Sequence, residues 1–286
     1  MTDIVLRRLN EMKNGILRIS ELNLTTLPDS PLWAEVVILY CDFNNLTTLP
    51  DLPMVEKLYC NNNYQIRTLP ELPKVTHLEC SNNLLTQLPE IPNVVELRCH
   101  SNNITELPDL PLVKILGCSY NHLTELPELP TVKRLSCYDN YLTQLPEMPL
   151  IKLLNCSYNL LTVLPELPLV KYLYCGGNRL TALPDLPKVK EFSCSYNQLT
   201  VLPELPMVKR LSCAHNMLYY NSDFNKIHWS IIKFITLKLC IEKWKRFNLA
   251  TVTAKKQSLH LELLYSPDLP FYKDREEYQH WLENTK

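Results

Sequence analysis

Glycine and long apolar segments are scarce in this chain of 286 residues. It contains only 4 glycines but 22 prolines, which excludes a flexible linker protein, a collagen-like chain and a glycine-rich phosphate-binding loop. No run of 18 apolar residues is present, and the N-terminal residues lack the apolar core of a signal peptide. Neither sign of charge is in excess, because 29 basic and 30 acidic side chains nearly cancel, and this argues against a general nucleic-acid binder.

The 11 cysteines would indicate disulfide bonds in a secreted protein. Since the sequence shows no secretory signal, we expect a cytoplasmic location in which these residues are reduced thiols. Zinc sites are built on close pairs such as Cys-x-x-Cys, and no such pair occurs. We therefore expect no metal and no cofactor.

A repeat of 19 residues, with one step of 20, dominates the sequence. Ten units share a cysteine, and an asparagine follows each cysteine at the third position. The cysteine column contains Cys41, Cys60, Cys80, Cys99, Cys118, Cys137, Cys156, Cys175, Cys194 and Cys213. The asparagine column contains Asn44, Asn63, Asn83, Asn102, Asn121, Asn140, Asn159, Asn178, Asn197 and Asn216. A degenerate unit with Ile19 and Leu22 in these two columns precedes the ten.

Each unit predicts one short strand. Side chains alternate along a strand, so Leu135 and Cys137 point to the core while Arg134 faces solvent. Successive strands then stack into a parallel sheet with a spacing of ~4.8 Å. Prolines such as Pro127 and Pro130 forbid a helix on the return leg of the coil. Because one unit buries a single face, we expect its stability to come from stacking on its neighbours.

This unit resembles the leucine-rich repeat, Leu-x-x-Leu-x-Leu-x-x-Asn-x-Leu, whose positions are filled by Val132, Leu135, Cys137, Asn140 and Leu142. Its Leu-Pro-x-Leu-Pro element is similar to the short units of secreted bacterial effectors, and comparable repeats occur in large DNA viruses of amoebae. The resemblance covers roughly residues 15–220. It implies an α/β-type repeat solenoid that is curved, with a parallel sheet on the concave face, an extended or polyproline convex side and helical caps at both ends. The cytoplasm of a host cell is the alternative location that it implies.

The sequence divides into three parts: an N-terminal helical cap at 1–14, a solenoid of about 11 units at 15–220, and a helical C-terminal cap or tail at 221–286. In the first part Asp3 can cap a helix whose Val5 and Leu9 form an apolar stripe. In the last part, residues 226–256 contain 8 basic and 1 acidic side chains. We interpret this segment as a cap, with a basic amphipathic binding segment as the alternative.

Three columns have structural interpretations. We expect the cysteines to fill the core as small apolar residues and the asparagines to satisfy backbone groups inside the coil. The threonines are expected to bond to the local backbone; they are Thr25, Thr47, Thr86, Thr105, Thr124, Thr143, Thr162, Thr181 and Thr200. Acidic residues between the prolines, such as Glu147 and Glu166, and lysines before the strands, such as Lys133, are interpreted as two solvated charge stripes.

The solvent-facing strand positions vary from unit to unit and form the candidate site. Exposed tyrosine, arginine and apolar side chains are typical anchors of protein interfaces. We expect Ile115 and Leu153 in particular to be exposed apolar residues without a structural role. The candidate partner-binding residues are Tyr40, Tyr59, His77, Arg98, Ile115, Arg134, Tyr138, Leu153, Tyr172, Tyr174 and Arg210.

These features favour a non-catalytic protein–protein interaction scaffold that binds a protein partner on the concave face, with no small-molecule substrate and no integral membrane segment. One alternative is the substrate-recognition part of a ubiquitin-ligase-type effector, because bacterial relatives can carry a ligase domain with a catalytic Cys-x-Asp element. The sole match, Cys137-Tyr138-Asp139, lies inside the repeat, and we interpret Cys137 as core. The other alternative is a basic tail that binds calmodulin, a membrane surface or nucleic acid.

Overall fold

The computed structural model describes residues 2–220 of the chain. It consists of an N-terminal helix α1 (Thr2–Asn10), eleven strands of three residues each, and two short 3-10 helices, Pro31–Glu35 and Met217–Tyr220. The strands are β1 (Ile16–Arg18), β2 (Ile38–Tyr40), β3 (Lys57–Tyr59), β4 (His77–Glu79), β5 (Glu96–Arg98), β6 (Ile115–Gly117), β7 (Arg134–Ser136), β8 (Leu153–Asn155), β9 (Tyr172–Tyr174), β10 (Glu191–Ser193) and β11 (Arg210–Ser212).

The eleven strands form one parallel sheet in which each strand pairs with the next one along the chain. Equivalent residues of successive units are in register, so that Leu135 of β7 lies between Leu116 of β6 and Leu154 of β8. One coil therefore contributes one strand, and equivalent residues of successive coils form columns along the sheet. The repeat read from the sequence is confirmed as a parallel-sheet solenoid.

The predicted alternation of side chains is also confirmed. Leu135 and Cys137 are fully buried, whereas Arg134 is exposed. All ten cysteines of the column are free thiols buried in the core. The bulky interior of each coil comes from the leucine and valine positions, so the cysteine fills the remaining narrow space beside them.

Every strand ends in the same way, because the second residue after each column position has a positive φ. This holds from Glu21 in the first coil to His215 in the last. A left-handed residue turns the chain out of the extended direction and stops the strand after three residues. The position is occupied by Gly177 and by asparagine in some coils, but by an aromatic residue in others.

The N-terminal helix lies where the sequence predicts it. Val5 and Leu9 are buried, and α1 contacts β1 and the first 3-10 helix. Asp3 lies inside the helix, which starts at Thr2, so its predicted capping position is wrong by one residue or more. Gly15 has a φ of 68°, and a Cβ there would lie 2.6 Å from Val37 Cγ2, so only glycine fits.

The 3-10 helix Pro31–Glu35 was not predicted, although it has the sequence signal of a helix start. Ser30 accepts a hydrogen bond from the Leu32 amide at 3.3 Å, and Pro31 occupies the first turn. Trp33 is buried and donates through its indole N–H to the Pro28 carbonyl at 2.9 Å. This turn fills the extra length of the first coil.

Other predictions have different outcomes. The threonine column is exposed, and within residues 2–220 its hydroxyls make no hydrogen bond with protein atoms, so the predicted local bonds are wrong. The predicted C-terminal part, including the basic segment 226–256, lies outside the described residues. The curvature of the solenoid and the polyproline character of its outer side remain predictions. Within the part of the chain that the structure describes, no helix is long and apolar enough to cross a membrane.

Candidate functional site

Buried asparagines hold the coils at a fixed spacing and thereby position the side chains on the sheet. Asn140 donates from Nδ2 to the carbonyls of Cys118 and Cys137, at 3.0 and 3.2 Å, and its Oδ1 accepts from the Leu123 amide at 3.0 Å. One side chain thus satisfies backbone groups of two adjacent coils, which would otherwise be buried without partners. The predicted structural role of this column is confirmed.

Asn83 is the exception to this pattern. Its Nδ2 donates to the carbonyls of Cys60 and Cys80 at 3.0 Å, but its Oδ1 is buried without a hydrogen-bond partner. The preceding unit is the one with 20 residues, in which Ile66 reaches the core one position later than its counterparts. Tyr64 takes up the extra residue with a φ of 58°. The insertion therefore removes one link between the coils.

The thiols of the cysteine column are poorly suited to act as nucleophiles or metal ligands. Burial raises the pKa of Cys99 and of Cys156 to about 12, and it raises the pKa of Cys137 well above its ordinary value. A thiol acts as a nucleophile or a metal ligand only as the thiolate, which burial disfavours here. Among residues 2–220, no group of three or more His, Cys, Asp or Glu side chains is arranged to hold a metal ion. Cys137 is therefore unsuited to the ligase role of a Cys-x-Asp element.

The charges between the prolines are solvated. Glu128, Glu147 and Glu166 are exposed, as are Lys133 and Lys152. Within the described residues no ion pair connects the acidic and basic stripes; the three ion pairs all join residues of the strands. Exposed charges without partners contribute little to stability.

We use the term strand face for the side of the sheet away from the core, formed by the first and third residues of the strands and the two residues after each cysteine. All eleven residues predicted to bind a partner lie on it. Arg98, Arg134, Tyr172 and Arg210 are exposed, and the other seven are half-buried by their neighbours in adjacent coils. The column geometry therefore brings predicted residues together in groups rather than in one cluster.

The N-terminal group is aromatic and cationic. The rings of Tyr40 and Tyr59 stack with centroids 4.7 Å apart and an interplanar angle of 2°. The guanidinium of Arg18 lies 4.0 Å from the centre of the Tyr40 ring, which is the geometry of a cation–π contact. Because these partners occupy neighbouring strands, the stack fixes their orientation.

A polar network follows along the face. The Asn61 side chain donates to Asp42 Oδ1 at 3.0 Å and to Glu79 Oε2 at 3.1 Å. Arg98 pairs with Glu96 at 2.7 Å and with Glu79 at 3.5 Å. Desolvation is the main cause that raises the pKa of Asp42, with a further contribution from Glu79, while the bonds from Asn61 oppose it. In this part of the strand face the polar side chains are therefore already paired with one another.

The central group contains a row of tyrosines at the end of the strands. The ring of Tyr138 lies 5.0 Å from that of Tyr120 and 5.2 Å from that of Tyr158, in edge-to-face geometry. Tyr120 and Tyr158 are 51% and 54% exposed, and both have left-handed backbone, with φ of 56° and 54°. We call these three residues the tyrosine cluster.

Ile115 and Leu153 are half-buried, so their predicted exposure is wrong. They flank Arg134 on adjacent strands, and neighbouring side chains cover part of each of them. Next to them the face has an open depression of about 290 Å³, and its lining includes Gly117, which has no side chain to fill the space. The two residues form walls of this depression.

The C-terminal group is another polar contact. The Tyr174 hydroxyl donates to Glu191 Oε2 at 3.2 Å, and Arg210 pairs with Glu191 Oε1 at 3.3 Å. Burial and the bond to Glu191 raise the pKa of Tyr174. Tyr172 lies beside this group and is 36% exposed.

The eleven predicted residues omit several that shape the strand face, among them Asp42, Asn61, Glu79, Gly117, Tyr120 and Tyr158. Glu79 and Gly117 occupy the third strand position, which was already recognised as solvent-facing. Their role depends on which residues lie beside them in adjacent coils, and this can be found by aligning the repeat units column by column.

No protein-family model matches the chain, and a comparison with curated proteins gives no match. Solved structures do match. The leucine-rich effector protein YopM of Yersinia pestis is 32% identical, with a TM-score of 0.66, and the match covers 75% of this chain and 65% of that one. YopM of Yersinia enterocolitica is 31% identical, with a TM-score of 0.59 and coverage of 75% and 59%.

A leucine-rich repeat protein of Leptospira interrogans is 26% identical, with a TM-score of 0.61 and coverage of 74% and 69%. The parallel-sheet solenoid thus matches the leucine-rich repeat fold, and its structural neighbours include bacterial effectors. The chain spans less than two thirds of the length of both YopM structures. The predicted resemblance to viral repeat proteins stays a prediction.

Proposed function

We propose that the solenoid is a non-catalytic scaffold that binds a protein partner through the strand face, which corresponds to the predicted concave side. The similarity to leucine-rich repeat proteins supports a role in protein interaction, but a fold alone does not name a function. The argument therefore depends on the chemistry of the strand face.

The tyrosine cluster carries the proposal. A left-handed backbone is unfavourable for a residue with a bulky side chain, by roughly 1 kcal/mol or more, and glycine or asparagine avoids most of this strain. Three other coils use Asn62, Asn82 and Gly177 at the same position, while the remaining coils carry other side chains there. Tyr120 and Tyr158 keep the unfavourable backbone, and each residue is about half exposed to solvent. Rigid, exposed aromatic rings are typical anchors of protein interfaces.

The rest of the strand face supports specificity. Its side chains change from coil to coil, whereas the outer side repeats the same Leu-Pro-Glu-Leu-Pro element. A surface that differs along its length can select one partner by the order of its aromatic, acidic and basic groups. A repeated surface offers the same contacts in every coil.

The partner we propose is a cytoplasmic protein of a host cell. The similarity to YopM, described as an effector protein, suggests delivery into a host. Ten buried free thiols agree with a reducing environment. The alternative of a ligase-type effector has no support from Cys137, which is fully buried.

The test uses the full chain and a partner captured from host cytosol. Tyr138→Ala with Tyr158→Ala should weaken binding by ~2 kcal/mol or more, about thirtyfold. Tyr64→Ala with Tyr141→Ala is the matched control, because these tyrosines are 63% and 52% exposed but lie off the cluster. Equal losses of affinity for the two pairs, or a loss confined to the control pair, would refute the proposal.

A further inference from the structure

Gly117 is the exception among the four glycines of the chain. Gly15 and Gly177 have left-handed backbone, and a Cβ at Gly176 would lie only 3.0 Å from the Ser195 carbonyl oxygen, so each of these positions has a backbone or packing reason for glycine. At Gly117 the nearest atom to such a Cβ is Arg98 Cγ at 3.9 Å, and the backbone is not left-handed. Glycine weakens a strand, and where no backbone demand explains it, it often marks the close approach of a ligand.

Arg134 is the exception among the arginines of the strand face. Arg18 stacks over Tyr40, Arg98 pairs with Glu96, and Arg210 pairs with Glu191. Arg134 is exposed and, within residues 2–220, makes no ion pair, hydrogen bond or ring contact. Its neighbours in the same row are Ile115 and Leu153, so no acidic residue on adjacent strands offsets its charge.

These two exceptions line the same open depression. Gly117 on β6 lines it together with Arg134, Ile115, Leu153, Arg98 and His100. Its volume of about 290 Å³ is at the small end of ligand pockets, which run from ~300 to 1,000 Å³. The depression is therefore large enough to admit a side chain of a partner, and its lining includes the apolar side chains of Ile115 and Leu153 and the unpaired guanidinium of Arg134.

We infer that Gly117 and Arg134 form a notch that receives one acidic side chain, glutamate or aspartate, of the protein partner. The inference rests on the proposed binding through the strand face and names the chemistry of its central contact. A carboxylate can accept two parallel N–H bonds from the planar guanidinium, while its methylene groups contact Ile115 and Leu153. The missing side chain at position 117 leaves the space that this residue enters.

The charges around the notch favour a carboxylate over a phosphate. Arg98 is already engaged by Glu96 and Glu79. Burial and the proximity of Arg98 lower the pKa of His100, which favours the neutral imidazole over a second positive charge. One unpaired arginine matches one negative charge, whereas a phosphate carries about −1.5 to −2 and is recognised by clusters of arginines.

The probe is a set of peptides selected from a displayed random library on the full chain. Only peptides that lose affinity for the Tyr138→Ala, Tyr158→Ala variant are carried forward. Each acidic residue of such a peptide is then changed to its amide. We expect one such change to weaken binding to the wild-type chain by about tenfold, and to weaken binding to Arg134→Gln by less than about twofold.

Two further variants test the space itself. Gly117→Gln should fill the notch and reduce affinity by about tenfold while the melting temperature stays unchanged. Ser193→Gln is the matched control, because Ser193 has the same strand position on β10, and it should leave affinity unchanged. The notch is refuted if amide substitution weakens binding equally to the wild type and to Arg134→Gln, or if Gly117→Gln binds normally.

The outcomes separate this inference from the proposed function. Tyrosine-dependent peptides without coupling to Arg134 would refute the notch and leave binding by the strand face intact. If no selected peptide depends on the tyrosine cluster, the proposed function fails and the notch with it. Tighter binding after the acidic residue is replaced by phosphoserine would overturn the assignment to a carboxylate.

Discussion

The two sides of each strand differ although they are one residue apart. Leu135 and its equivalents face the core and are nearly the same in every coil, whereas Arg134 and Ser136 face solvent and their equivalents change from coil to coil. The inner side is held by the asparagine and cysteine columns. The strand face contains the stack of Tyr40 on Tyr59, all three ion pairs within residues 2–220, and the notch at Gly117.

This difference separates stability from recognition. The inner columns satisfy backbone groups and fill the core, so changes there should affect folding. The residues of the strand face contact mostly each other or solvent. Changes there should therefore affect binding and leave folding nearly intact. The following predictions test this separation, in order of decreasing effect.

The largest loss of stability should follow from ionisation of the buried cysteines at alkaline pH. Burial raises the pKa of Cys99 and Cys156 to about 12, while an unfolded cysteine titrates near pH ~8.5. Because the folded pKa is the higher one, the thiols stabilise the fold fully below about pH 8.5 and lose this effect as the pH rises toward about 12. In this pH range each buried thiol lowers the free energy of unfolding by about 1.4 kcal/mol per pH unit.

With ten buried thiols, this predicts unfolding between about pH 9 and 10. Urea titrations at a series of pH values measure the free energy of unfolding. A Cys99→Ala, Cys156→Ala variant should show a pH slope that is smaller by about a fifth. A free energy of unfolding that stays constant up to about pH 10 would contradict the buried position of the column.

The second effect concerns the asparagine column. Asn140→Ala should destabilise the chain by about 3–5 kcal/mol, because two buried carbonyls and one buried amide lose their partner. Asn83→Ala is the matched variant, since its Oδ1 has no partner to lose. Asn83→Ala should lower the free energy of unfolding by about 1 kcal/mol less than Asn140→Ala does. Thermal melting of both variants tests this, and an equal loss would mean that the insertion leaves the ladder intact.

A third comparison uses two glycines on opposite sides of this division. Gly15→Ala should destabilise by about 2 kcal/mol or more, because its φ is 68° and Val37 is too close. Gly117→Ala should leave stability unchanged or raise it by about 0.5–1 kcal/mol, since the added methyl group makes only ordinary contacts, the nearest with Arg98 Cγ at 3.9 Å. Urea unfolding decides between a structural and a functional reason for Gly117. A marked loss with Gly117→Ala would favour the structural one.

The smallest effect is expected on the outer proline side. Glu147→Ala with Glu166→Ala removes exposed charges that make no ion pair within the described residues. The free energy of unfolding should change by less than about 0.5 kcal/mol. A larger change, measured at low and high salt, would show that the acidic stripe contributes to the fold.

The sequence predicts the interior better than the surface. The cysteine and asparagine columns, the strand register and the parallel sheet follow from one repeat, because each coil must bury the same face against its neighbours. The N-terminal helix follows from its apolar stripe. These features depend on residues that are close in the chain or equivalent in position.

The misses have a common physical cause, which is contact between different coils. The unpartnered Oδ1 of Asn83 results from one extra residue in the unit before it. The half-buried state of Ile115 and Leu153, and the notch at Gly117, depend on side chains from adjacent strands. The threonines face solvent because the backbone of the bend already bonds to neighbouring coils, as in the Tyr141 amide that donates to the Leu123 carbonyl at 2.9 Å.

The most direct test of binding through the strand face compares two pairs of substitutions with one captured partner. Tyr172→Ala with Tyr174→Ala changes the strand face at β9, and Glu147→Ala with Glu166→Ala changes the proline side. The tyrosine pair should weaken the measured affinity by about thirtyfold, and the acidic pair should leave it unchanged. Loss of binding with the acidic pair and none with the tyrosine pair would place the partner on the charge stripe and contradict the account.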